Sequence, residues 1–257
     1  MKGHTPRRRF GQNFLVDRGI IRSIIEVIAP QPQQIMVEIG PGLGAITEPL
    51  LERLDHLHVI EIDRDIVARL QAQYPSGRLT IHAGDVLDFD FAALPAPFRL
   101  VGNLPYNIST ELLFRLVPHA HRLTDAHFML QREVVDRMVA APSTADYGRL
   151  SVMLQYRFDM TKLIDVPPDA FSPAPKVNSA VVRLRPRAPH ELTVVDEVLL
   201  GKVVTAGFTK RRKTLRNALE GVIDAKGLET LGINSQLRPE NLSVADYVAI
   251  ANRVAEV

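Results

Sequence analysis

The chain has 257 residues, 46% of them hydrophobic, and a formal net charge of +2. Its length and apolar content suit one α/β domain with a smaller appendage. With no membrane-length apolar run, no apolar core of a secretory signal and no cysteine, we expect a cytosolic protein without disulfides, zinc ribbons or a cysteine nucleophile.

An α/β alternation is predicted from the first helix onward. Asp17 is placed to cap a helix whose isoleucines, from Ile20 to Ile28, lie on one face. Helices are also predicted at 45–54 and 109–117, and short apolar runs predict strands at 35–40, 57–63, 79–85, 98–103 and 126–131. This order is typical of βαβ units that form a mostly parallel sheet.

The last third of the chain changes character. Strands are predicted at 150–160 and 178–186, on either side of a proline-rich loop, as a hairpin at a sheet edge. After Pro189 the pattern is helical. We therefore predict two domains, an α/β domain over 1–188 and a small helical domain over 189–257.

Basic residues are concentrated in three clusters. One lies at Arg7, Arg8 and Arg9, a second alternates from Arg183 to Arg187, and the segment 202–217 carries six basic residues and no acid. Each cluster alone is typical of a solvated surface, but the three together favour a nucleic-acid partner. The eight histidines show no metal-ligand spacing, so no metal site is predicted.

The stretch VEIGPGLGAITE predicts a nucleotide-binding turn. A strand leads into Gly40, Gly42 and Gly44, and a helix follows. Glycines permit a tight turn and a close ligand, while the start of the helix offers free N–H groups. The spacing also satisfies G-x-G-x-x-A, so it does not separate a nicotinamide cofactor from another adenosine-containing one.

Two acids follow at the ends of the next two strands. Glu61 lies about twenty residues after Gly40, where a carboxylate can accept both ribose hydroxyls, and Asp85 can accept from an adenine amine. Either acid alone could be a helix cap. Their succession after the glycine turn favours the ligand.

The sequence NLPY ends the fourth predicted strand and faces the same crevice. Asn103 offers a side-chain carbonyl, and Pro105 holds Leu104 extended so that its main-chain carbonyl can be a second acceptor. Tyr106 offers a ring on which a planar base can stack. These groups predict a grip on the exocyclic amine of an adenine-like ring, with an activated methyl on the cofactor as electrophile.

Seven blocks in order resemble the ribosomal RNA adenine dimethyltransferases, most closely the bacterial enzymes that act on 16S RNA. The blocks are GQNFLVD (11–17), EIGPGLGAIT (38–47), EID (61–63), GDVLDFD (84–90), GNLPYNIS (102–109), FSPAPKVNSAVVRL (171–184) and FTKRRKTLRNAL (208–219). The resemblance implies a Rossmann-like class I methyltransferase domain with a mostly parallel seven-stranded sheet, and a small all-α C-terminal domain that binds RNA.

The resemblance also implies roles for individual residues. S-adenosylmethionine would be bound by Asn13, Leu15, Glu38, Gly40, Gly42, Glu61, Asp85 and Asn103. Asn103 and the Leu104 carbonyl would hold the target amine, Tyr106 would stack on the base, and Phe171 would close on its other face. A hydrophobic plug in the proline-rich loop is the alternative for Phe171.

The implied reaction is N6,N6-dimethylation of two adjacent adenines in a 3′-terminal hairpin loop of 16S RNA, within the small ribosomal subunit or its precursor. RNA phosphates would be bound by Arg7, Arg8, Arg9, Lys210, Arg211, Arg212, Lys213 and Arg216. A monomer is expected, because no heptad seam is present.

Three alternatives remain open at this stage. A related 23S adenine methyltransferase would differ in the RNA it modifies. A nicotinamide-dependent oxidoreductase fits the glycine turn but lacks an evident Tyr-x-x-x-Lys pair and leaves NLPY unexplained. In an RNA-binding assembly factor without catalysis, binding to the assembling subunit would survive Asn103→Ala, a change that abolishes methylation by an enzyme.

Overall fold

The computed structural model of this chain describes residues 12–256. Its strands are β1 Phe14–Leu15, β2 Met36–Ile39, β3 Leu57–Glu61, β4 Leu79–Ala83, β5 Phe98–Asn103, β6 Leu123–Gln131, β7 Phe158–Val166, β8 Phe171–Ser172 and β9 Ser179–Pro186. Its α-helices are α1 Arg18–Ile28, α2 Thr47–Leu51, α3 Arg64–Gln73, α4 Ser109–Leu116, α5 Arg132–Val139, α6 Arg149–Arg157, α7 Glu197–Thr209, α8 Leu215–Ala218, α9 Ala225–Thr230 and α10 Val244–Ala255.

In the described part of the chain, seven strands form one sheet in the order β4-β3-β2-β5-β6-β9-β7. The pairs from β4 to β6 are parallel, and β9 runs antiparallel to β6. The predicted α/β class with a mostly parallel seven-stranded sheet is confirmed. Because β3, β2 and β5 are parallel neighbours, their carboxyl ends meet at one edge, where ligands of such sheets bind.

The start of α1 follows the sequence signal. The Asp17 carboxylate accepts hydrogen bonds from the main-chain N–H groups of Gly19 (2.7 Å) and Ile20 (2.9 Å), which satisfies two of the free donors at the helix start. Ile24, Ile25 and Ile28 are buried on the face that packs into the core of the sheet domain.

The predicted hairpin at the sheet edge is present, but its first strand lies later than expected. Residues 149–157 form α6, and β7 begins only at Phe158. Leu150, Val152, Leu154 and Tyr156 alternate as in a strand, yet all four are buried on α6, and Val152 and Tyr156 belong to the core of a helical cluster. A helix covered on several sides carries no single apolar stripe, so its pattern can be mistaken for a strand.

Two compact units divide the chain. One comprises the residues up to Val135 together with Met160–Pro186, and the other comprises Asp136–Asp159 and the residues from Arg187 onward. The break after Pro186 is close to the predicted boundary at 188. Residues 136–159 were predicted in the first domain but group with the helical unit, because Val152 and Tyr156 of α6 share a core with Leu200 and Tyr247.

No helix among residues 12–256 combines the length and the apolar character that a membrane span requires.

Candidate active site

A cavity of about 320 Å³ opens at the carboxyl ends of β2, β3 and β5. This volume lies at the lower end of the range for small-molecule sites. All eight residues predicted to bind the cofactor line it, namely Asn13, Leu15, Glu38, Gly40, Gly42, Glu61, Asp85 and Asn103. Leu104 and Tyr106 line it as well. The structure therefore brings together residues from five separate parts of the sequence.

The glycine turn needs glycine for two reasons. Gly40, Gly42 and Gly44 have φ angles of 66°, 55° and 92°, in the left-handed region that other residues rarely adopt. A Cβ atom on Gly42 would also lie 3.1 Å from the ring of Phe14. The turn can thus place main-chain N–H groups beside a ligand without a side chain in the way.

Glu38 is the most buried acid of the cavity. It is 2% exposed, and its carboxylate accepts a hydrogen bond of 2.6 Å from the Thr47 hydroxyl. Burial raises the pKa of Glu38 to about 7; the Thr47 hydrogen bond lowers it in part and the Glu61 carboxylate adds to the rise. A cationic ligand group placed beside Glu38 would favour its ionised form.

Glu61 ends β3 and is held by the turn that follows it. Its carboxylate accepts a hydrogen bond of 2.8 Å from the N–H of Asp63. Burial raises the pKa of Glu61, while hydrogen bonds from the N–H groups of Asp63, Gly42 and Ile62 act in the opposite direction. The carboxylate is therefore fixed in orientation before a ligand arrives.

Asp85 lies just beyond β4, at the rim of the cavity. One carboxylate oxygen accepts from the N–H of Leu87 at 2.9 Å, which closes a local turn. No helix begins at Asp85, so it is not a helix cap, and the contact with Leu87 does not prevent the predicted ligand contact because a carboxylate can accept several hydrogen bonds.

The amide of Asn103 is anchored by the segment that precedes α1. Its Nδ2 donates to the main-chain carbonyl of Asn13 at 3.0 Å, so Oδ1 is the atom left to accept from a ligand. The N–H of Leu104 donates to the carbonyl of Met129 at 3.1 Å, which fixes the backbone just before Pro105. The residues that carry the two predicted acceptors are thus held by main-chain carbonyls, one of Asn13 just before β1 and one of Met129 in β6.

The phenol of Tyr106 also has a fixed partner. Its oxygen lies 2.6 Å from the hydroxyl of Ser179, the first residue of β9. Burial raises the pKa of Tyr106, and the Ser179 hydrogen bond acts against that rise. Tyr106 is therefore a neutral ring at physiological pH, suited to stacking rather than to proton transfer.

Phe171 lies apart from the other predicted catalytic residues. It forms β8, which pairs antiparallel with β1 through Leu15, and its side chain is 4% exposed in the core of the sheet domain. It does not line the cavity formed by residues 12–108. This placement matches the plug alternative, and stacking on a target base stays a prediction that would require Phe171 to move.

The predicted RNA-binding residues divide into groups. Arg7, Arg8 and Arg9 lie outside the described residues. In the helical unit, Arg211 contacts Glu240 at 2.5 Å and the Ala145 carbonyl at 2.8 Å. Lys210 lies 3.2 Å from the Asn217 carbonyl and 3.7 Å from Glu220.

The other three cations predicted to bind RNA in the helical unit are available to a partner. Arg212, Lys213 and Arg216 are exposed and form no salt bridge within residues 12–256. The contacts thus separate two cations with structural partners from three that face solvent.

Sequence reasoning missed several lining residues, among them Ile62, Val86, Phe14 and Gln12. Ile62 and Val86 directly follow the two strand-end acids, a position that could have identified them as apolar contacts for a planar ring. Phe14 packs against Gly42, and the amide of Gln12 donates to Asp63 at 3.1 Å. The last two contacts join distant parts of the chain and leave no local signal.

In the part of the chain that the structure describes, no group of three or more His, Cys, Asp or Glu residues could hold a metal ion.

Comparison with known proteins places this geometry in a family. A family model described as "Ribosomal RNA adenine dimethylase" matches residues 3–256. "Ribosomal RNA small subunit methyltransferase A" of Chromobacterium violaceum is 61% identical over 255 residues, which cover 99% of this chain and 97% of that protein. The protein of the same name from Aromatoleum aromaticum is 62% identical over 255 residues, covering 99% of this chain and 96% of the relative.

Solved structures give the same picture. A dimethyladenosine transferase from Plasmodium falciparum superposes with a TM-score of 0.81 at 25% identity, covering 92% of this chain and 95% of its own. The 23S rRNA methyltransferase ErmE superposes with a TM-score of 0.74 at 26% identity, covering 95% of this chain and all of its own. Both share the fold over nearly the whole length.

Proposed function

Since the chain belongs to the ribosomal RNA adenine dimethylase family, we propose that it dimethylates the N6 amines of two adjacent adenines in a 3′-terminal hairpin loop of 16S RNA. The methyl donor is S-adenosylmethionine. The observation that carries this proposal is that one cavity holds both the strand-end acids Glu61 and Asp85 and the groups of NLPY.

The residues of the cavity fit this donor. The glycine turn leaves room where a Cβ atom on Gly42 would meet Phe14. Glu61 and Asp85 supply acceptors for ribose hydroxyls and an adenine amine, and the buried Glu38 suits the cationic methionine end. S-adenosylmethionine supplies an activated methyl group when it is bound, so the protein itself needs no nucleophile.

The chain then contributes orientation of the target amine. The lone pair of an adenine amine is delocalised into the ring and is a poor nucleophile. Asn103 Oδ1 and the Leu104 carbonyl accept the two amine hydrogens, which favours the pyramidal form whose lone pair can attack. Because these acceptors are held by Asn13 and Met129, little reorganisation is needed during the reaction.

Tyr106 contributes a stacking surface for the target base. Base–aromatic stacking contributes about 1–3 kcal/mol per base in single-strand binders. The target adenine must leave its own stack to enter the cavity, and stacking on Tyr106 offsets part of that cost. Phe171 would cover the opposite face only after moving from its buried position.

The helical unit contributes binding to the RNA backbone. The exposed cations Arg212, Lys213 and Arg216 suit contacts with phosphates, which carry little sequence information. Selection of the correct adenines then depends on RNA shape, within a small ribosomal subunit or its precursor. We further propose that the enzyme acts in the cytoplasm as a monomer.

The family membership removes the nicotinamide-dependent oxidoreductase from consideration. A 23S methyltransferase shares the fold, as the similarity to ErmE indicates, but the two relatives at 61% and 62% identity bear the small-subunit name. The RNA that is modified is therefore the property to measure.

The test is to incubate the protein with methyl-labelled S-adenosylmethionine and small ribosomal subunits from a strain lacking the modification. Naked 23S RNA is assayed in parallel, and nucleosides are identified by mass spectrometry. We expect labelled N6,N6-dimethyladenosine in 16S RNA alone. Label in 23S RNA would overturn the substrate assignment, and donor binding without any methyladenosine would favour an assembly factor.

A further inference from the structure

A buried hydroxyl outside the cavity holds the ring on which the target base is proposed to stack. Ser179 is 0% exposed, and its Oγ lies 2.6 Å from the phenol oxygen of Tyr106, although 73 positions separate the two residues. Ser179 is not among the residues that line the cavity. Its hydroxyl therefore reaches the reaction only through Tyr106.

The sheet explains how Ser179 comes to this place. β9 runs antiparallel to β6, and Ser179 pairs with Gln131, the last residue of β6. β6 in turn is parallel to β5, where Asn103 pairs with Met129. The start of β9 thus lies at the same edge of the sheet as the carboxyl end of β5, from which the chain continues into Tyr106.

The alignment is further fixed from both sides. The N–H of Arg132 donates to the carbonyl of Asn178 at 2.9 Å, which closes the sheet next to Ser179. On the side of Tyr106, the Ser109 hydroxyl donates to the main-chain carbonyl of Tyr106 at 3.1 Å. Tyr106 is therefore held at its backbone by one serine and at the end of its ring by another.

We propose that Ser179 is a positioning residue for methyl transfer, because its hydroxyl anchors the far end of the Tyr106 ring at the place where a target adenine must stack. The inference rests on the proposed function and deepens it. Rotation about the Cα–Cβ bond swings the whole tyrosine ring and moves the phenol oxygen, so a hydrogen bond to that oxygen restricts this rotation. A ring that is already oriented loses less freedom when the base stacks on it.

The expected effect follows from the strength of one neutral hydrogen bond. Losing it should slow methyl transfer about three- to tenfold. The loss should appear in the single-turnover rate at saturating RNA and donor, since product release can mask it in kcat. Affinity for S-adenosylmethionine should not change, because Ser179 does not line the donor cavity.

The experiment is a double-mutant cycle with Ser179→Ala and Tyr106→Phe, measured as single-turnover methylation of unmodified small subunits. Ser179→Ala should slow the reaction in the otherwise natural chain and change it less than about twofold in the Tyr106→Phe background. Equal slowing in both backgrounds, or none in either, would overturn the proposal. A control for the general cost of deleting a buried hydroxyl is Ser151→Ala, since Ser151 is also 0% exposed and its hydroxyl contacts the Arg137 carbonyl.

A second pair of variants decides the question if Ser179→Ala does not fold. These variants are Ser179→Thr and Ser179→Val. Threonine and valine have the same shape, but only threonine keeps the hydroxyl. The threonine variant should react about three- to tenfold faster than the valine variant, and this difference should vanish in the Tyr106→Phe background. Equal rates in the presence of Tyr106 would overturn the role of Ser179. If the natural chain forms no methyladenosine at all, the proposed function fails and this role fails with it.

Discussion

The side-chain amide of Asn103 donates to the main-chain carbonyl of Asn13, 3.0 Å away, across 90 positions of sequence. The contact assigns the two ends of the amide, because Nδ2 is engaged and Oδ1 is left as the acceptor. The segment before α1 thus leaves an acceptor at the position that we propose to meet the target amine.

Asn103→Ala should therefore lower the methylation rate by about 100-fold or more, the loss typical of removing one preorganised polar group at a reacting centre. Binding of the small subunit should be retained, because the change adds no charge and removes no phosphate contact. Single-turnover methylation and a sedimentation binding assay measure the two properties separately. Loss of binding together with activity would instead indicate a misfolded site.

A matched variant tests the orientation of the amide. Asn103→Asp keeps the shape and an acceptor oxygen but lacks the donor for the Asn13 carbonyl, and it adds a charge facing that carbonyl. We expect the methylation rate to fall by about tenfold or more, because the hydrogen bond to the Asn13 carbonyl is lost and a negative charge faces that oxygen instead. An active Asn103→Asp variant would show that the contact with Asn13 does not matter.

Much of this site could be predicted from sequence because its signals are local. Asp17 lies at its helix start, Gly40 and Gly42 have left-handed φ angles, and Glu61 ends its strand. Each of these features depends on neighbours within a few residues, so the pattern carries it.

The remaining features depend on long-range packing. The hydrogen-bond partner of Tyr106, Ser179, is 73 positions away, and no local sequence pattern around Ser179 indicates this contact. Phe171 could be read as a stacking residue or as a core residue until its pairing with Leu15 placed it in the core. The apolar alternation of 150–157 was resolved only by the helices that cover α6.

Glu38 should make donor binding depend on pH. Its folded pKa, raised to about 7 by burial, exceeds the ordinary value of 4.5, so the ligand-free carboxyl is largely protonated below pH 7. A cationic ligand favours the carboxylate, so affinity should weaken as the pH falls below 7, by up to about tenfold per pH unit. Titration calorimetry in buffers of different ionisation enthalpy should show release of roughly one proton per donor bound at pH 6 and little at pH 8.

The control is Glu38→Gln, which keeps an acceptor for the Thr47 hydroxyl but does not titrate. Its donor affinity should be weaker at pH 8 and nearly independent of pH. The protonation of Glu38 also affects folding. Because its folded pKa is raised, the contribution of Glu38 to the free energy of unfolding is present below pH 4.5 and is lost as the pH rises through about 7. Equal pH dependence in both proteins would show that another group titrates.

Gly102 should tolerate no side chain, because β5 lies very close to β2. A Cβ atom at Gly102 would sit 2.6 Å from the carbonyl oxygen of Ile39. Gly102→Ala should therefore destabilise the fold by about 1–3 kcal/mol through overpacking and should displace the neighbouring Asn103. Urea denaturation measures the first effect, and single-turnover methylation measures the second.

A glycine in open space is the matched control for that substitution. A Cβ atom at Gly77 would meet nothing within 4 Å, and the residue is not in the left-handed region. Gly77→Ala should leave stability unchanged or raise it by about 0.4–1 kcal/mol, because alanine reduces the freedom of the unfolded chain. If both variants lost the same stability, close contact with Ile39 would not be the cause at Gly102.

The basic segment should separate into residues that bind RNA and residues that hold the helical unit together. Arg212→Ala, Lys213→Ala and Arg216→Ala should each weaken subunit binding and reduce the slope of log affinity against log salt by about 1, because each removes a cation that we propose to contact one phosphate. Arg211→Ala should chiefly lower the urea midpoint, since Arg211 contacts Glu240 and the Ala145 carbonyl within its own unit.

Lys226→Ala serves as the control for a change of net charge alone, because Lys226 is an exposed cation of α9. If Lys226→Ala reduced the salt slope as much as Arg212→Ala, general electrostatic attraction rather than direct phosphate contact would explain RNA binding. A direct contact depends on the position of the cation, whereas attraction through net charge does not.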